Sequence, residues 1–150
     1  MSLPKEKIYT TEDIYALPDG ERAELIDGQI YDKYSPSRMH QMILGELFTI
    51  IQNYIKSKGG SCEPYIAPFA VFLNGDDRNY VEPDISVICD RSKLTDKGCF
   101  GAPDWIVDPD KKRITVYDIE HEDVQDYTFD DLVKVNIYPD LSIDFGKLSF

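Results

Sequence analysis

Long apolar runs are missing from this 150-residue chain, and their absence narrows the class of protein it can represent. A membrane-spanning helix needs about 18 or more consecutive apolar residues, and no such stretch occurs in the sequence. The N-terminal segment MSLPKEKIYTTED also has no apolar core of the kind that a secretory signal requires. We therefore expect a cytoplasmic protein with no membrane partner.

Cysteine and histidine are also scarce. The three cysteines, Cys62, Cys89 and Cys99, are widely spaced and odd in number, a pattern that favours reduced thiols in a cytosol. The sequence has no Cys-x-x-Cys pair, and His40 and His121 are its only histidines. A structural zinc site is therefore not expected.

Positive charge is the third shortage. The chain has 16 Lys and Arg residues against 28 Asp and Glu, so its formal net charge is −12. Proteins that bind DNA through its phosphates are usually basic. The charge therefore argues against tight DNA binding unless a divalent metal, a local basic patch or a partner helps. Clustered carboxylates are, in contrast, the groups that bind Mg²⁺.

What the chain does contain is typical of a single globular domain over residues 1–150. Hydrophobic residues make up 42% and charged residues 29%, and this length can bury a core without metal or disulfides.

Asp27-Gly28 between apolar alternations predicts a hairpin over residues 21–33. Ser35-Pro36 predicts the start of a long helix over residues 35–58. Its expected core-facing stripe is Met39, Ile43, Leu47, Ile50 and Tyr54.

A strand predicted over residues 80–89 holds the first candidate for chemistry. Side chains alternate between the two faces of a strand, so Glu82 and Asp84 share one face and could hold Mg²⁺. Pro83 lacks a backbone donor and favours a strand start, edge or bulge. The simpler alternative is that both carboxylates face water, as charged side chains usually do. Residues 65–73, 105–107 and 113–119 are predicted as further strands.

His40 and Glu24 are weaker candidates. His40 lies near the start of the long helix, in line with Leu44 and Leu47, where a lone histidine is more often a half-buried, satisfied side chain than a base or ligand. Glu24 lies among apolar residues of the hairpin and could face either a groove or water.

Asp108 opens the segment DPDKK, which has two interpretations. As an acid–x–Lys pattern, Asp110 and Lys112 would complement Asp84, but such a pattern arises often by chance in a chain this rich in charge. As a tight turn, with Asp first and Pro second, the segment would point its side chains toward solvent. The turn is the simpler interpretation.

The phrases ELIDG, VEPDISVI, DRSKLTDKG and WIVDP follow one another in an order that resembles the Uma-two family of restriction-endonuclease-like proteins, within the PD-(D/E)XK nuclease superfamily. The resemblance extends from Tyr9 to about Phe145. It implies an α/β (α+β) fold with a mixed sheet flanked by helices. It also implies hydrolysis of DNA phosphodiester bonds assisted by Mg²⁺, with Mn²⁺ as an alternative metal.

The resemblance also assigns candidate catalytic residues by position. The aspartate of the family's Pro–Asp strand corresponds to Asp84, the glutamate of ELIDG to Glu24, and the histidine at the helix start to His40. Of these, Asp84 is the expected metal ligand.

The chain departs from the family pattern between Ala102 and Pro109. The family has a strand ending in a second catalytic Glu, then a basic helix, before another Trp-Ile-Val strand, whereas this chain has a single Trp-Ile-Val. Relative to that pattern about one strand and one helix are absent, roughly thirty residues with their connections. Asp108 is then the stand-in for the lost Glu as catalytic residue and metal ligand, and it is one methylene shorter, which shifts the metal and weakens catalysis.

The sequence therefore predicts a DNA endonuclease by resemblance, with cleavage very weak or absent in this shortened chain. We expect the strand at residues 105–107 to pair beside the Asp84 strand, and Asp84 to face a groove. Two alternatives stay open. One is a non-catalytic remnant that binds a partner or forms a homodimer through apolar surface left bare by the missing elements. The other is a metal-binding domain with no nucleic-acid role.

Overall fold

The computed structural model describes residues 5–109, 114–119, 121–128, 132–134 and 141–144, and these residues form an α+β fold. Its helices are α1 (Thr11–Tyr15) and α2 (Arg38–Ser57). Its strands are β1 (Arg22–Ile26), β2 (Gln29–Lys33), β3 (Glu63–Ile66), β4 (Val71–Phe72), β5 (Ile85–Ile88), β6 (Leu94–Thr95), β7 (Gly98–Phe100), β8 (Trp105–Pro109), β9 (Ile114–Asp118), β10 (Asp123–Tyr127), β11 (Leu132–Lys134) and β12 (Ser142–Asp144). Neither helix is long and apolar enough to cross a membrane, within the part of the chain described.

A five-stranded sheet with the order β10-β9-β8-β5-β3 forms the centre of the fold. All of its neighbouring strands run antiparallel. A smaller sheet with the order β4-β7-β6 is mixed, because β4 is parallel to β7 while β6 is antiparallel to it. The predicted α+β class is confirmed, and the mixed strand directions occur in the smaller sheet.

The pairing of β8 with β5 confirms the strand expected beside Asp84. Val107 on β8 lies opposite Ile85 on β5, and the other edge of β8 pairs with β9. Trp105, at the start of β8, is only 1% exposed. The single Trp-Ile-Val phrase therefore supplies a buried strand between β5 and β9.

Helix α2 packs one face against this sheet. Ser37 caps the helix by accepting a hydrogen bond from His40 N at 3.1 Å, so the helix begins three residues later than predicted. The buried side chains of α2 are Ile43, Leu44, Leu47, Ile51 and Ile55.

The stripe predicted for α2 is therefore only partly correct. Met39 is 48% exposed, and Ile50 and Tyr54 pack at the margin of the core. Successive helical residues are about 100° apart around the helix axis. Because Ile51 and Ile55 point into the core, Ile50 and Tyr54 lie about 100° away from them, at the side of the buried face.

Prolines interrupt two of the predicted strands. The strand expected over residues 65–73 is divided into β3 and β4, with the cis Ala67–Pro68 peptide between them. The strand expected over residues 80–89 is divided at Pro83, which has no N–H to donate to a ladder. Asp84 consequently lies directly before β5 rather than inside a longer strand.

The cysteines also differ from expectation. Cys62 and Cys89 form a disulfide, while Cys99 is free and buried, so the prediction of three reduced thiols is wrong. The antiparallel register that places Glu63 opposite Ile88 brings the two flanking cysteines together. The two cysteines are 27 residues apart in the chain, so the sequence alone does not indicate that they are close in the fold.

Candidate functional site

A cavity of about 780 Å³ opens where the start of α2, the end of β2 and the residue before β5 meet. Charged and polar side chains at this cavity include Arg22, Lys33, His40 and Asp84. The remaining polar lining residues are Ser35, Ser37 and Gln41, and the others are Tyr34, Pro36, Met39, Ile43, Leu44, Ala67, Pro68 and Pro109.

Asp84 is held both at its side chain and at its backbone. Its Oδ2 lies 3.0 Å from His40 Nε2, and each of these side chains is only 20% exposed. The backbone carbonyl of Asp84 accepts a hydrogen bond from Ala67 N at 2.9 Å. Asp84 therefore faces the cavity rather than bulk water, as we expected from the sequence. His40 is the residue that fixes its orientation.

Asp108 is brought to Asp84 by strand pairing. It lies in β8 opposite Thr115 of β9, and its Oδ1 accepts a hydrogen bond of 2.9 Å from the backbone nitrogen of Asp84. The turn interpretation, which placed Asp108 in solvent, is thus wrong. Residues 110–112, which carry the rest of that predicted turn, lie outside the described residues.

The surroundings of Asp108 disfavour its charge. Burial, the largest influence, raises the pKa of its carboxyl group to about 6. The charges of Asp84 and Glu24 push the pKa in the same direction, whereas the hydrogen bond from Asp84 N and the charge of Lys33 lower it. The pKa of Asp108 therefore depends on burial and on both its acidic and its basic neighbours.

Glu24 and Lys33 form the second part of the site. Lys33 Nζ lies 2.9 Å from Glu24 Oε1 and also donates to the backbone carbonyl of Glu82. The same Glu24 oxygen accepts a hydrogen bond of 3.1 Å from Glu82 N. Glu24 therefore holds Lys33 against the backbone that leads to Asp84.

Lys33 was not among the candidates taken from the sequence, although the signal for it was present. The Asp27-Gly28 turn fixes the register of the hairpin, with Arg22 opposite Lys33. Since residues i and i+2 share a strand face, Glu24 lies on the same face as this pair. The spacing alone could have placed Lys33 beside Glu24.

Glu82 does not share the cavity with Asp84. Its side chain is buried, and it accepts hydrogen bonds from Arg22 Nε at 2.8 Å and from the Tyr80 hydroxyl at 2.9 Å. Both of its oxygens are used, so the solvent-facing alternative is wrong for Glu82, and its expected partnership with Asp84 in holding metal is not supported by these contacts.

Asp84, which lines the cavity, and Asp108, which accepts a hydrogen bond from the Asp84 backbone, are the carboxylates that could hold a metal here. Within the described residues, no group of three or more His, Cys, Asp and Glu side chains is arranged to hold a metal ion. Asp84 Oδ1 and Asp108 Oδ2 make no hydrogen bond to that part of the chain, because the contacts use the other oxygens. Mg²⁺ commonly takes one or two carboxylates from a protein and completes its shell with water and phosphate.

Comparison with known proteins gives a family and a fold. Residues 11–107 match the model of Uma2, described as "Putative restriction endonuclease", and the match ends one residue before Asp108. The crystal structure of a protein from Anabaena variabilis, described as a putative nuclease belonging to DUF820, is similar with a TM-score of 0.65. The two chains are 20% identical over 93% of this chain and 96% of the other, which shows a shared fold. Comparison with curated proteins gave no match.

Proposed function

This chain belongs to the Uma2 family, and from that premise we propose that it is a slow, divalent-metal-dependent DNA endonuclease. The observation that carries the proposal is the hydrogen bond from Asp84 N to Asp108 Oδ1. It places the carboxylate of Asp108 against the backbone of Asp84, the residue that corresponds to the aspartate of the family's Pro–Asp strand. Asp108 is thereby available for the role of the glutamate that the sequence lacks.

Asp84 and Asp108 are the residues that would hold Mg²⁺, or Mn²⁺ in its place. The bound metal would polarise the scissile phosphate and lower the pKa of an attacking water. His40 would act as a positioning residue, since its Nε2 contacts Asp84 Oδ2 at 3.0 Å and leaves Oδ1 directed elsewhere. Asp108 must be ionised to serve as a ligand, because a protonated carboxyl group is a poor one.

Lys33 would supply positive charge to the reacting phosphate. It lines the cavity with Asp84, and its charge acts on Asp108. Cationic side chains that face developing negative charge in a water-poor site stabilise the transition state. Glu24 would hold the ammonium group of Lys33 in place, since Lys33 Nζ lies 2.9 Å from Glu24 Oε1.

Three features support a low rate. Asp108 is shorter than the family's glutamate, so a metal held by it would be displaced, and small displacements at a reacting centre are costly. Its pKa of about 6 leaves a fraction of the molecules protonated near neutrality. The net charge of −12 opposes the approach of DNA, which is itself a polyanion.

A plasmid-nicking assay tests the proposal. We expect slow conversion of supercoiled to nicked DNA with Mg²⁺ or Mn²⁺, abolished by EDTA and by both Asp84→Ala and Asp108→Ala. Asp96→Ala is the matched control, because Asp96 is an exposed aspartate that does not line the cavity. Nicking that survives both Asp84→Ala and Asp108→Ala would contradict the proposal.

A second candidate function is a non-catalytic remnant that binds a partner or forms a homodimer. The lack of a group of three metal-ligating side chains in the described ranges favours it, as does Val124, which is 57% exposed on β10 at the edge of the central sheet. This candidate predicts no metal-dependent nicking and a dimeric mass by light scattering, with a Val124→Asp change returning the protein to a monomer.

A DNA substrate also implies a cytoplasmic location, the one expected from the sequence. The Cys62–Cys89 disulfide argues in the opposite direction, since disulfides are rare where thiols are kept reduced. Lysis of cells directly into denaturant that contains a thiol-alkylating agent, followed by mass measurement, decides between the two, because denaturation exposes the buried thiol of Cys99. One blocked thiol per chain would indicate an oxidising compartment, and three would indicate the cytoplasm.

A further inference from the structure

We infer that the apolar part of the cavity beside Asp84 receives an unpaired nucleobase, so that the preferred substrate is single-stranded or locally unpaired DNA. The inference rests on the proposed function, because it names the substrate class of the same site. It is carried by the shape and lining of the cavity, by one unusually exposed aromatic ring and by the distribution of charge.

The cavity has the size and character of a small-molecule site. Its volume of about 780 Å³ falls within the range of ligand pockets, which combine apolar walls with a few polar groups. Pro36, Met39, Leu44 and Pro68 provide walls, while His40 and Asp84 lie among the polar groups. A planar, mostly apolar ring with polar edges matches such a lining better than a phosphate does.

Tyr34 supports the assignment of a nucleobase. Its side chain lines the cavity and yet is 87% exposed, the highest exposure among the large hydrophobic side chains of the described residues. Met39, also on the cavity lining, is 48% exposed. Stacking of a base on an aromatic side chain strengthens binding by roughly fivefold to more than a hundredfold per base, and it requires a ring face that is open in this way.

The charges near the cavity favour one strand over two. Arg22 is engaged by Glu82, and Lys33 is engaged by Glu24, so neither cation is free of an acidic partner. Duplex binding depends on neutralising many phosphates, which a chain of net charge −12 does poorly. Stacking needs no positive charge, but it does need a base that is not already stacked within a duplex.

The position of the cavity connects base binding to cleavage. The cavity is lined both by Asp84, one of the two proposed metal ligands, and by His40, which positions it. A nucleotide carries its phosphate one sugar away from its base. A base held between Tyr34 and Met39 would therefore bring an adjacent phosphodiester to Asp84.

Fluorescence anisotropy with end-labelled oligonucleotides tests this inference. A single strand of about 12 nucleotides, within the usual site size for such proteins, is compared with the same sequence as a blunt duplex, in Mg²⁺, and intactness is checked on a gel afterwards. We expect the single strand to bind at least tenfold more tightly. Tyr34→Ala should weaken single-strand binding about fivefold or more, while Tyr34→Phe retains it.

Tyr15→Ala is the matched control, because Tyr15 is an exposed tyrosine, 50% accessible, that does not line this cavity. It should leave single-strand binding unchanged, and circular dichroism should show every variant folded. Equal or tighter binding of the duplex, or a Tyr34→Ala variant that binds as the unaltered protein does, would overturn the inference.

The outcomes also separate this inference from the proposed function. Single-strand binding that depends on Tyr34, in a protein that cuts neither plasmid nor oligonucleotide, would support base binding and refute the endonuclease. Metal-dependent nicking that needs Asp84, without preference for single strands, would support the endonuclease and refute base binding.

Discussion

The backbone nitrogen of Asp84 donates a hydrogen bond of 2.9 Å to Oδ1 of Asp108, joining two carboxylate residues that lie 24 positions apart in the chain. The bond is possible because β8 pairs directly with β5 and because Asp84 immediately precedes β5. Because Oδ1 of Asp108 accepts this bond, Oδ2 is the oxygen that remains to bind a metal. It also fixes the carboxylate in a partly buried place, and this has a measurable effect on stability.

Asp108→Asn is expected to stabilise the protein at neutral pH. The pKa of Asp108 rises from 3.8 to about 6 on folding, so the folded state binds the proton more readily and stability falls as pH rises between these values. About two pKa units correspond to roughly 3 kcal/mol at most. Asparagine keeps an acceptor for Asp84 N without the buried charge.

Urea denaturation at a series of pH values from about 4 to 8 measures this effect. We expect a gain of about 1–3 kcal/mol above pH 6 that shrinks toward zero near pH 4. Asp96→Asn, at an exposed aspartate, should show no such change. A gain for Asp108→Asn that stays constant with pH would mean that the carboxyl group titrates normally.

Leu47→Ala should be strongly destabilising, whereas Met39→Ala should not. Leu47 is fully buried in the core between α2 and the sheet, and Met39 is 48% exposed. Truncating a buried leucine removes transfer free energy and leaves a cavity, at a cost of about 2–5 kcal/mol. Urea denaturation should therefore place the two variants at least about 1.5 kcal/mol apart. Equal losses would show that the helix presents the face that its sequence stripe predicts.

Reduction of the Cys62–Cys89 bond should lower stability by about 3 kcal/mol, because a cross-link that closes a loop of this length restricts the unfolded chain. The measurement is urea denaturation with and without dithiothreitol. The Cys62→Ser/Cys89→Ser double variant is the control, and dithiothreitol should not change its midpoint. Titration of the denatured, unreduced protein should find one thiol, that of Cys99. Three thiols would show that the bond does not form.

Local signals in the sequence were sufficient for several parts of the fold. The Asp27-Gly28 turn predicts its hairpin correctly, because both residues adopt the left-handed conformation, with φ of 49° and 78°, that such a two-residue turn requires. The Trp-Ile-Val phrase, apolar throughout, predicts a buried strand. Each of these depends on a few neighbouring residues, which is why the sequence is informative there.

The contacts that build the site are long-range, and the sequence does not show them. The neighbours of Asp108 predict a turn, because Pro109 follows, but the pairing of β8 with β5 and β9 keeps Asp108 in a strand. The Cys62–Cys89 bond and the contact of His40 with Asp84 likewise depend on which strands and helices become neighbours. Family resemblance supplied Asp84, Glu24 and His40 as candidates, while Lys33 emerged only from the folded hairpin.

The pH dependence of nicking should identify Asp108 as a metal ligand. Only its ionised form binds a metal, so the rate should rise with pH through an inflection near the pKa of about 6. Protons and metal compete for the same carboxylate, so raising the Mg²⁺ concentration tenfold should move the inflection to lower pH by up to about one unit. His40→Gln should reduce the rate, because Asp84 loses its 3.0 Å contact, but it should keep the inflection and its shift with Mg²⁺. An inflection that ignores Mg²⁺, or one that vanishes in His40→Gln, would assign the titration to a group other than Asp108.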